Sequence, residues 1–307
     1  MIGEWKEQLE THGPEWGVPA GVEWRFLLHN NYQPHYSGMN VFWFRKGDRD
    51  PLVVAKVFPE PVLAQQEFEN LQDAHACAPE SVPRPLGLFN RGDYWTLWMS
   101  AVPGSRLTAN LLSDSGLDQL AGFLARVQVG VARKRNAFRQ RHETLVADPI
   151  DTAVEQCPAL SEACNWIRAR YTPDWLESLP SLAQHGDLCA NNVLVDSRGR
   201  WHIVDWETLG MIDLPYFDLV TFLLSLNADA SAGAWSTSLR SHARRLIDRY
   251  SQALLLKRSD LIFMMPLLLA NWVHFQIQSE RKSVRTAVRA LEDYLTQSDH
   301  WQQALLG

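Results

Sequence analysis

The stretch that decides the fold runs from His185 to Glu207 and reads HGDLCANNVLVDSRGRWHIVDWE. Its two short apolar runs flank a Ser-Arg-Gly turn, a pattern that predicts a β-hairpin. Polar residues lie at both open ends, Asp187 and Asn192 before the first strand and Asp205 after the second. Because a hairpin brings its two ends together, we expect these three side chains to converge.

Two carboxylates and an amide oxygen around one point suit Mg²⁺, a hard cation that takes oxygen ligands. Phosphoryl transfer uses such an ion to neutralise the phosphates, while a carboxylate orients the attacking hydroxyl. The pattern therefore predicts Asp187 as the catalytic base and Asn192 and Asp205 as metal ligands. The alternative is an ordinary polar turn beside a hairpin. The full spacing, His-x-Asp-x4-Asn followed by a hairpin and an aspartate, favours the metal site.

The stretch resembles the catalytic loop and metal-binding segment of the aminoglycoside phosphotransferase and choline kinase-like family. The family's His-Gly-Asp-Leu-x-x-x-Asn is matched, and its Ile-Asp-Trp-Glu is matched with Val204 inserted. The family's next mark, an Asp-Leu pair that opens a helix, is matched by Asp218-Leu219. The resemblance covers residues 35–225 best. It implies that His185 supports the loop through hydrogen bonds rather than reacting.

The fold that the resemblance implies is α+β, a two-lobed protein-kinase-like architecture. Residues 1–102 would form a nucleotide-binding lobe, an antiparallel sheet plus a helix. Residues 103–307 would form a mostly helical lobe with the catalytic loop and the acceptor site. The implied reaction is transfer of the γ-phosphate of ATP to a hydroxyl of a small molecule, with Mg²⁺ as cofactor.

Strand signals in the first lobe surround a polar turn that contains Gly38 and Asn40, which we expect to lie beside the phosphates. Lys56 lies in the apolar run Val-Val-Ala-Lys-Val-Phe, where a buried ammonium needs a partner. Val-Ala-Lys resembles the strand lysine that contacts the α- and β-phosphates in kinases. Glu67, on the following helical run, is the expected partner. The alternative is a lysine that snorkels from an edge strand.

The adenine contacts are predicted from the resemblance alone. Ser100-Ala-Val-Pro-Gly looks like the family's Met-Glu-x-x-x-Gly linker between lobes, so the base would bind main-chain groups at about Ser100 and Val102.

Helical periodicity dominates the second half of the chain. It predicts an amphipathic helix over residues 117–133 and one or two helices within 148–182. Asp218 is expected to cap the next helix and to bind the catalytic-loop backbone. Trp272 and Phe275 are candidate residues of the acceptor pocket, with a core role as the alternative.

Composition restricts the partners. The net charge of −6 argues against nucleic acid, and the longest apolar run is too short and contains a proline, so we expect no membrane insertion. The four cysteines show no Cys-x-x-Cys spacing, and the first residues lack the pattern of a signal peptide. We therefore expect a cytoplasmic protein. The sequence leaves the oligomeric state open.

The acceptor is left open between a sugar, an amino alcohol and an aminoglycoside-like molecule. From residue 238 onward the chain has ten basic and six acidic side chains, which disfavours a polycationic aminoglycoside. A quaternary ammonium could use an aromatic cage. The alternative function is a catalytically inactive nucleotide-binding scaffold of the same fold.

Overall fold

A computed structural model describes residues 2–30, 39–135, 141–226, 235–279 and 284–307. The chain divides into two compact units, residues 1–104 and 105–307. The sequence-based division falls two residues earlier, and the assignment of a nucleotide-binding and an acceptor-binding role to the two parts stays a prediction.

Unit 1 contains a five-stranded antiparallel sheet in the order β1-β2-β3-β5-β4. Its strands are β1 Trp24–Asn30, β2 Met39–Arg45, β3 Val53–Phe58, β4 Pro85–Asn90 and β5 Trp95–Ser100. Lys46-Gly-Asp turns the chain between β2 and β3, and Gly47 has a φ of +95° that favours glycine. The prediction of an antiparallel N-terminal sheet is confirmed.

Unit 1 has two helices in its described residues, α1 (Ile2–His12) and α2 (Pro61–Cys77), and both contact this sheet. Alternate strand residues point to opposite faces, so one face holds Val41, Trp43 and Ala55, which pack with Trp5 of α1. Lys56 points to the other face and meets Glu67 of α2 there.

Unit 2 is mostly helical in its described residues. A small antiparallel sheet joins β6 (Ser105–Arg106), β7 (Val193–Val195) and β8 (Trp201–Ile203). The helices are α3 Asp114–Arg135, α4 Asp148–Gln156, α5 Ser161–Arg170, α6 Pro173–Ser178, α7 Phe217–Ser225, α8 Thr237–Leu254, α9 Arg258–Gln278, α10 Val284–Thr296 and α11 Ser298–Leu305. The predicted hairpin is β7–β8, in which Val193 pairs with Ile203. The prediction of a mostly helical second half is also confirmed.

Helix α9 is long and apolar and contains Pro266. It is the one helix of the described residues that is long and apolar enough to cross a bilayer. Its most apolar stretch of 18 residues is nevertheless 72% buried inside the protein. Length and composition alone are weak support for a membrane span, since a core helix has the same properties.

Two expectations about helices are corrected by the structure. The segment 148–182 contains three short helices, α4 to α6, because Pro158 and Pro173 each open a new helical segment. Helix α11, which buries Trp301, was not predicted.

Gly116 of α3 offers a test of packing in unit 2. A Cβ at this position would lie 2.3 Å from Cε2 of Trp201, whose side chain is buried. We expect Gly116→Ala to lower the free energy of unfolding by about 1–3 kcal/mol. The measurement is urea unfolding followed by far-UV circular dichroism.

Gly122 of the same helix is the matched control. A Cβ there meets only Nη1 of Arg126, at 3.8 Å. Because alanine favours the helix interior, Gly122→Ala should raise the stability by about 0.5–1 kcal/mol. Equal changes in the two variants would contradict the close contact with Trp201.

Candidate active site

The β7–β8 hairpin brings Asn192 and Asp205 to the same end. Asn192 directly precedes β7, and its carbonyl accepts a hydrogen bond from the main-chain N–H of Val204, at 3.0 Å. Asp205 follows with a φ of +71°, a left-handed conformation that aspartate tolerates better than most residues. The hairpin thus carries an amide and a carboxylate at its open end.

Asp187 joins this end through Asn192. The Asn192 Nδ2 atom donates to the Asp187 carbonyl at 2.9 Å and to Asp187 Oδ2 at 3.3 Å. Because the amide nitrogen faces Asp187, the amide oxygen is the atom of Asn192 that is available to a metal ion. Asp187 and Asn192, which have four residues between them in the sequence, are therefore in contact.

Glu207 adds a carboxylate that sequence reasoning did not assign. One of its oxygens lies within 4.8 Å of an oxygen of Asp205. The signal in the sequence was Asp-Trp-Glu, but strand alternation gives no direction to side chains beyond the end of β8. Carboxylate and amide oxygens form the ligand set that Mg²⁺ prefers, so these residues fit that ion.

His185 supports the loop through both ring nitrogens. Its Nδ1 atom accepts a hydrogen bond from the Asp187 main-chain N–H at 3.3 Å, and Nε2 lies 3.1 Å from the carbonyl of Val204. This pattern assigns the proton to Nε2, which donates to Val204. Trp206 packs against the ring with 4.6 Å between centroids. The ring therefore links the residue before Asp205 to Asp187.

Asp218 holds the segment that precedes Asp187. Its carboxylate is fully buried and accepts hydrogen bonds from the main-chain N–H groups of His185 and Gly186, at 2.6 and 2.9 Å. Burial raises the pKa of Asp218, whereas these donors oppose the rise. The predicted contact with the loop is confirmed. The predicted capping is not observed, because Tyr216 occupies the N-cap position of α7.

Unit 1 contains a buried ion pair. The Lys56 Nζ atom lies 2.9 Å from Glu67 Oε1 and 2.7 Å from Oε2, and both side chains are at least nine-tenths buried. Asn40 is directly opposite Lys56 across β2 and β3, so the two side chains share one face of the sheet. The predicted pairing of Lys56 with Glu67 is confirmed. The alternative of a snorkelling edge lysine is wrong, since β3 is a central strand.

The remaining predicted nucleotide contacts are less defined. Gly38 lies outside the described residues. The Ser100 N–H donates to the Arg84 carbonyl at 2.9 Å, so this donor is engaged within unit 1. Val102 lies beyond the end of β5. The roles of all three stay predictions.

The aromatic candidates for the acceptor pocket are core residues of α9. Trp272 and Phe275 are both buried. A cavity of about 820 Å³ in unit 2 is lined instead by other aromatic side chains, Trp166, Phe263 and Tyr294. None of the predicted site residues lines it, so this cavity does not support a role for Trp272 or Phe275.

Comparison with known proteins places the sequence in a family. The family model described as the phosphotransferase enzyme family matches residues 35–256. The chain belongs to this family. A search of curated proteins by sequence gives no significant match. The predictions of this family, and of a phosphotransferase that acts on a hydroxyl of a small molecule, are thereby confirmed.

Solved structures share the fold of this phosphotransferase at low identity. A choline kinase from Cryptosporidium parvum is 11% identical with a TM-score of 0.70, covering 100% of this chain and 98% of that one. An aminoglycoside phosphotransferase from Alicyclobacillus acidocaldarius is 15% identical with a TM-score of 0.56, covering 94% and 91%. One from Streptomyces rimosus, in complex with ADP and streptomycin, is 16% identical with a TM-score of 0.54, covering 88% and 99%. The kinase-like fold class is confirmed.

Gly186 provides a test of the loop geometry. Its φ is +86°, and a Cβ there would lie 2.8 Å from the Thr208 carbonyl oxygen. Gly199, in the hairpin turn, has a φ of +74° with nothing within 4 Å of a Cβ. Gly199→Ala should lower the free energy of unfolding by about 1–2 kcal/mol, the cost of a left-handed alanine.

Gly186→Ala should cost about 1–3 kcal/mol more, because it adds overlap with a main-chain atom. Urea unfolding of the two variants measures the difference. The same loss in both would show that the loop can move away from Thr208.

Proposed function

We propose that this phosphotransferase transfers the γ-phosphate of ATP to a hydroxyl of a small cytoplasmic molecule. The observation that carries the proposal is the contact of Asn192 with Asp187 at the open end of the hairpin that also bears Asp205. A carboxylate beside two oxygen ligands is the arrangement that phosphoryl transfer needs.

The residues of the hairpin and its loop have distinct proposed roles. Asp187 orients the acceptor hydroxyl and accepts its proton. Its position is set by the Asn192 amide and by the hydrogen bond from its own main-chain N–H to the His185 ring. Asn192 and Asp205 hold Mg²⁺, with Glu207 as a further carboxylate near Asp205. When bound, Mg²⁺ neutralises the charge of the β- and γ-phosphates.

The nucleotide is assigned to the residues of unit 1. Lys56 contacts the α- and β-phosphates, and Glu67 holds the ammonium in place, which restricts its rotamers before the nucleotide arrives. Asn40 lies beside the phosphates, and the main chain at Ser100 and Val102 contacts adenine. ADP in the Streptomyces rimosus structure supports the choice of nucleotide.

The proposed acceptor is a small hydroxyl compound. Structures of the same fold are a choline kinase, an ethanolamine kinase, an aminoglycoside phosphotransferase in complex with streptomycin and a spectinomycin phosphotransferase. We propose an amino alcohol, a sugar or an aminoglycoside-like molecule.

Nucleotide and metal binding are tested by thermal unfolding with ATP, with and without Mg²⁺. At 100 times the Kd, ligand binding should stabilise the protein by about 2.7 kcal/mol. We expect Asp205→Ala to lose the part of this stabilisation that depends on Mg²⁺. Asp93→Ala, at an exposed aspartate of the turn between β4 and β5, should keep it. Stabilisation by ATP that ignores Mg²⁺ in the unmodified protein would argue against the metal site.

Turnover is tested by ADP release with choline, ethanolamine, streptomycin and spectinomycin as acceptors. With any acceptor that the enzyme uses, Asp187→Asn should lower kcat by about 10²–10⁴-fold, because an amide cannot accept the hydroxyl proton. Binding of ATP should persist. Asp174→Asn, at an exposed aspartate of α6, is the matched control and should leave kcat unchanged. Equal turnover in Asp187→Asn would indicate a different base, whereas ATP binding without ADP release for any acceptor would favour the scaffold.

A further inference from the structure

A buried chain of side-chain hydrogen bonds lies behind the loop that carries Asp187. It starts at Tyr250 of α8, whose hydroxyl donates to Gln128 Oε1 at 2.7 Å. Gln128 of α3 then donates through Nε2 to Asp218 Oδ2 at 2.8 Å and to Gln184 Oε1 at 3.1 Å. All four side chains are buried, with at most 1% exposure.

The chemistry of the Gln128 amide allows only one direction of donation along this series of hydrogen bonds. The Asp218 carboxylate can only accept, so the amide nitrogen must face it and the amide oxygen must face Tyr250. Rotation of the amide by half a turn would bring its oxygen against a carboxylate oxygen and leave the Tyr250 hydroxyl without this acceptor. Because water does not reach these groups, each wrong contact would be costly. The arrangement is therefore unique rather than one of several.

Gln128 also binds the main chain that leads into the loop. Its own carbonyl accepts from the Ala183 N–H at 3.1 Å. The Gln184 side chain, which receives the Gln128 amide, accepts in addition from the Asp218 N–H at 3.1 Å. Gln128 thus binds the segment before the loop twice, with its carbonyl to the Ala183 N–H and with its side-chain amide to Gln184.

Tyr250 fixes the start of the helix that carries Asp218. Its hydroxyl oxygen accepts from the main-chain N–H of Tyr216 at 3.4 Å, and Tyr216 has a φ of +69°. Because Tyr216 is the N-cap of α7, this contact holds Asp218 two residues later. Asp218 in turn binds the N–H groups of His185 and Gly186, the two residues before Asp187.

We infer that Gln128 and Tyr250 are positioning residues for phosphoryl transfer. They act through Asp218 on the direction of the Asp187 carboxylate and not on the affinity for nucleotide. The inference rests on the proposed role of Asp187. A purely structural role would make the same residues contribute to stability alone.

The main test replaces each group by one of similar shape that cannot hydrogen-bond, Gln128→Met and Tyr250→Phe. With ATP and the acceptor identified from the panel above, we expect kcat to fall about 10–100-fold for Gln128→Met, the usual effect of removing a supporting contact behind a reactive group. The KM for ATP should change by less than about twofold, because the contacts that bind ATP in the ground state are unaffected. Tyr250→Phe should have a smaller effect, and the double variant should resemble Gln128→Met, because both act in one chain.

Two control variants separate positioning from loss of stability. Gln8→Met removes a buried glutamine side chain of α1, which accepts from Trp98 Nε1. Tyr171→Phe removes a buried hydroxyl that donates to the Phe263 carbonyl. Both controls should lower the unfolding temperature without lowering kcat, measured where every variant is fully folded.

A further substitution at Gln128 gives a pH-dependent result. Gln128→Glu places a second carboxylate against Asp218, in surroundings that also contain Tyr250, His185 and Tyr216. Burial and the neighbouring charge keep the new carboxyl protonated at low pH, when its O–H can replace the amide donor. The ratio of its kcat to that of the unmodified enzyme should therefore rise as pH falls. A ratio that does not change with pH would contradict the positioning role.

Hydrogen exchange supplies a readout that needs no acceptor. Amide protons of the peptide containing His185 to Asp187 should exchange at least about tenfold faster in Gln128→Met than in Gln8→Met, because their acceptor loses its own support. Unchanged kcat and unchanged exchange in Gln128→Met, with an active parent enzyme, would overturn this inference alone. A parent enzyme that releases no ADP with any acceptor would overturn the proposed function, and the inference with it.

Discussion

The burial of the Asp218 carboxylate is the constraint on which unit 2 depends. A carboxylate with no exposure must be surrounded by donors, and three N–H groups meet it here. Two come from the loop before Asp187, and the third comes from Gln128 of α3. Segments that are far apart in sequence thus meet at one point because a single charge must be satisfied. The direction of the Asp187 main chain follows from that meeting.

The same rule explains unit 1. Lys56 and Glu67 are each too buried to remain charged alone, so the β3 strand and the α2 helix are held in one register by their contact. In both units a buried charged group restricts the backbone at the proposed site residues. Such buried pairs contribute less to stability than to a single arrangement of the site, which is the property that phosphoryl transfer requires.

The sequence predicted those parts of the site whose signals are local. The hairpin, Asp187 with Asn192, and the lysine in an apolar strand each follow from spacing or from a charge among apolar residues. Gln128, Gln184 and Tyr250 were not predicted, because a polar residue on an amphipathic helix or before a loop has no visible partner until helices pack. Glu207 was missed for a related reason: the left-handed φ of Asp205 redirects the chain where strand alternation ends.

The packing of α8 changes the argument about acceptor charge. The excess of basic side chains from residue 238 onward disfavours a polycationic acceptor only if those side chains face the acceptor. Arg245 binds Asp118 and Asp114 of α3 at 2.7 and 3.1 Å, and Arg249 also reaches Asp118. Arg258 binds Asp248 at 2.9 Å. These arginines are engaged with acidic partners, and two of those partners, Asp114 and Asp118, precede residue 238 and were not counted in the regional charge. The regional charge is thus no measure of the acceptor, and aminoglycoside-like molecules stand beside amino alcohols as candidates.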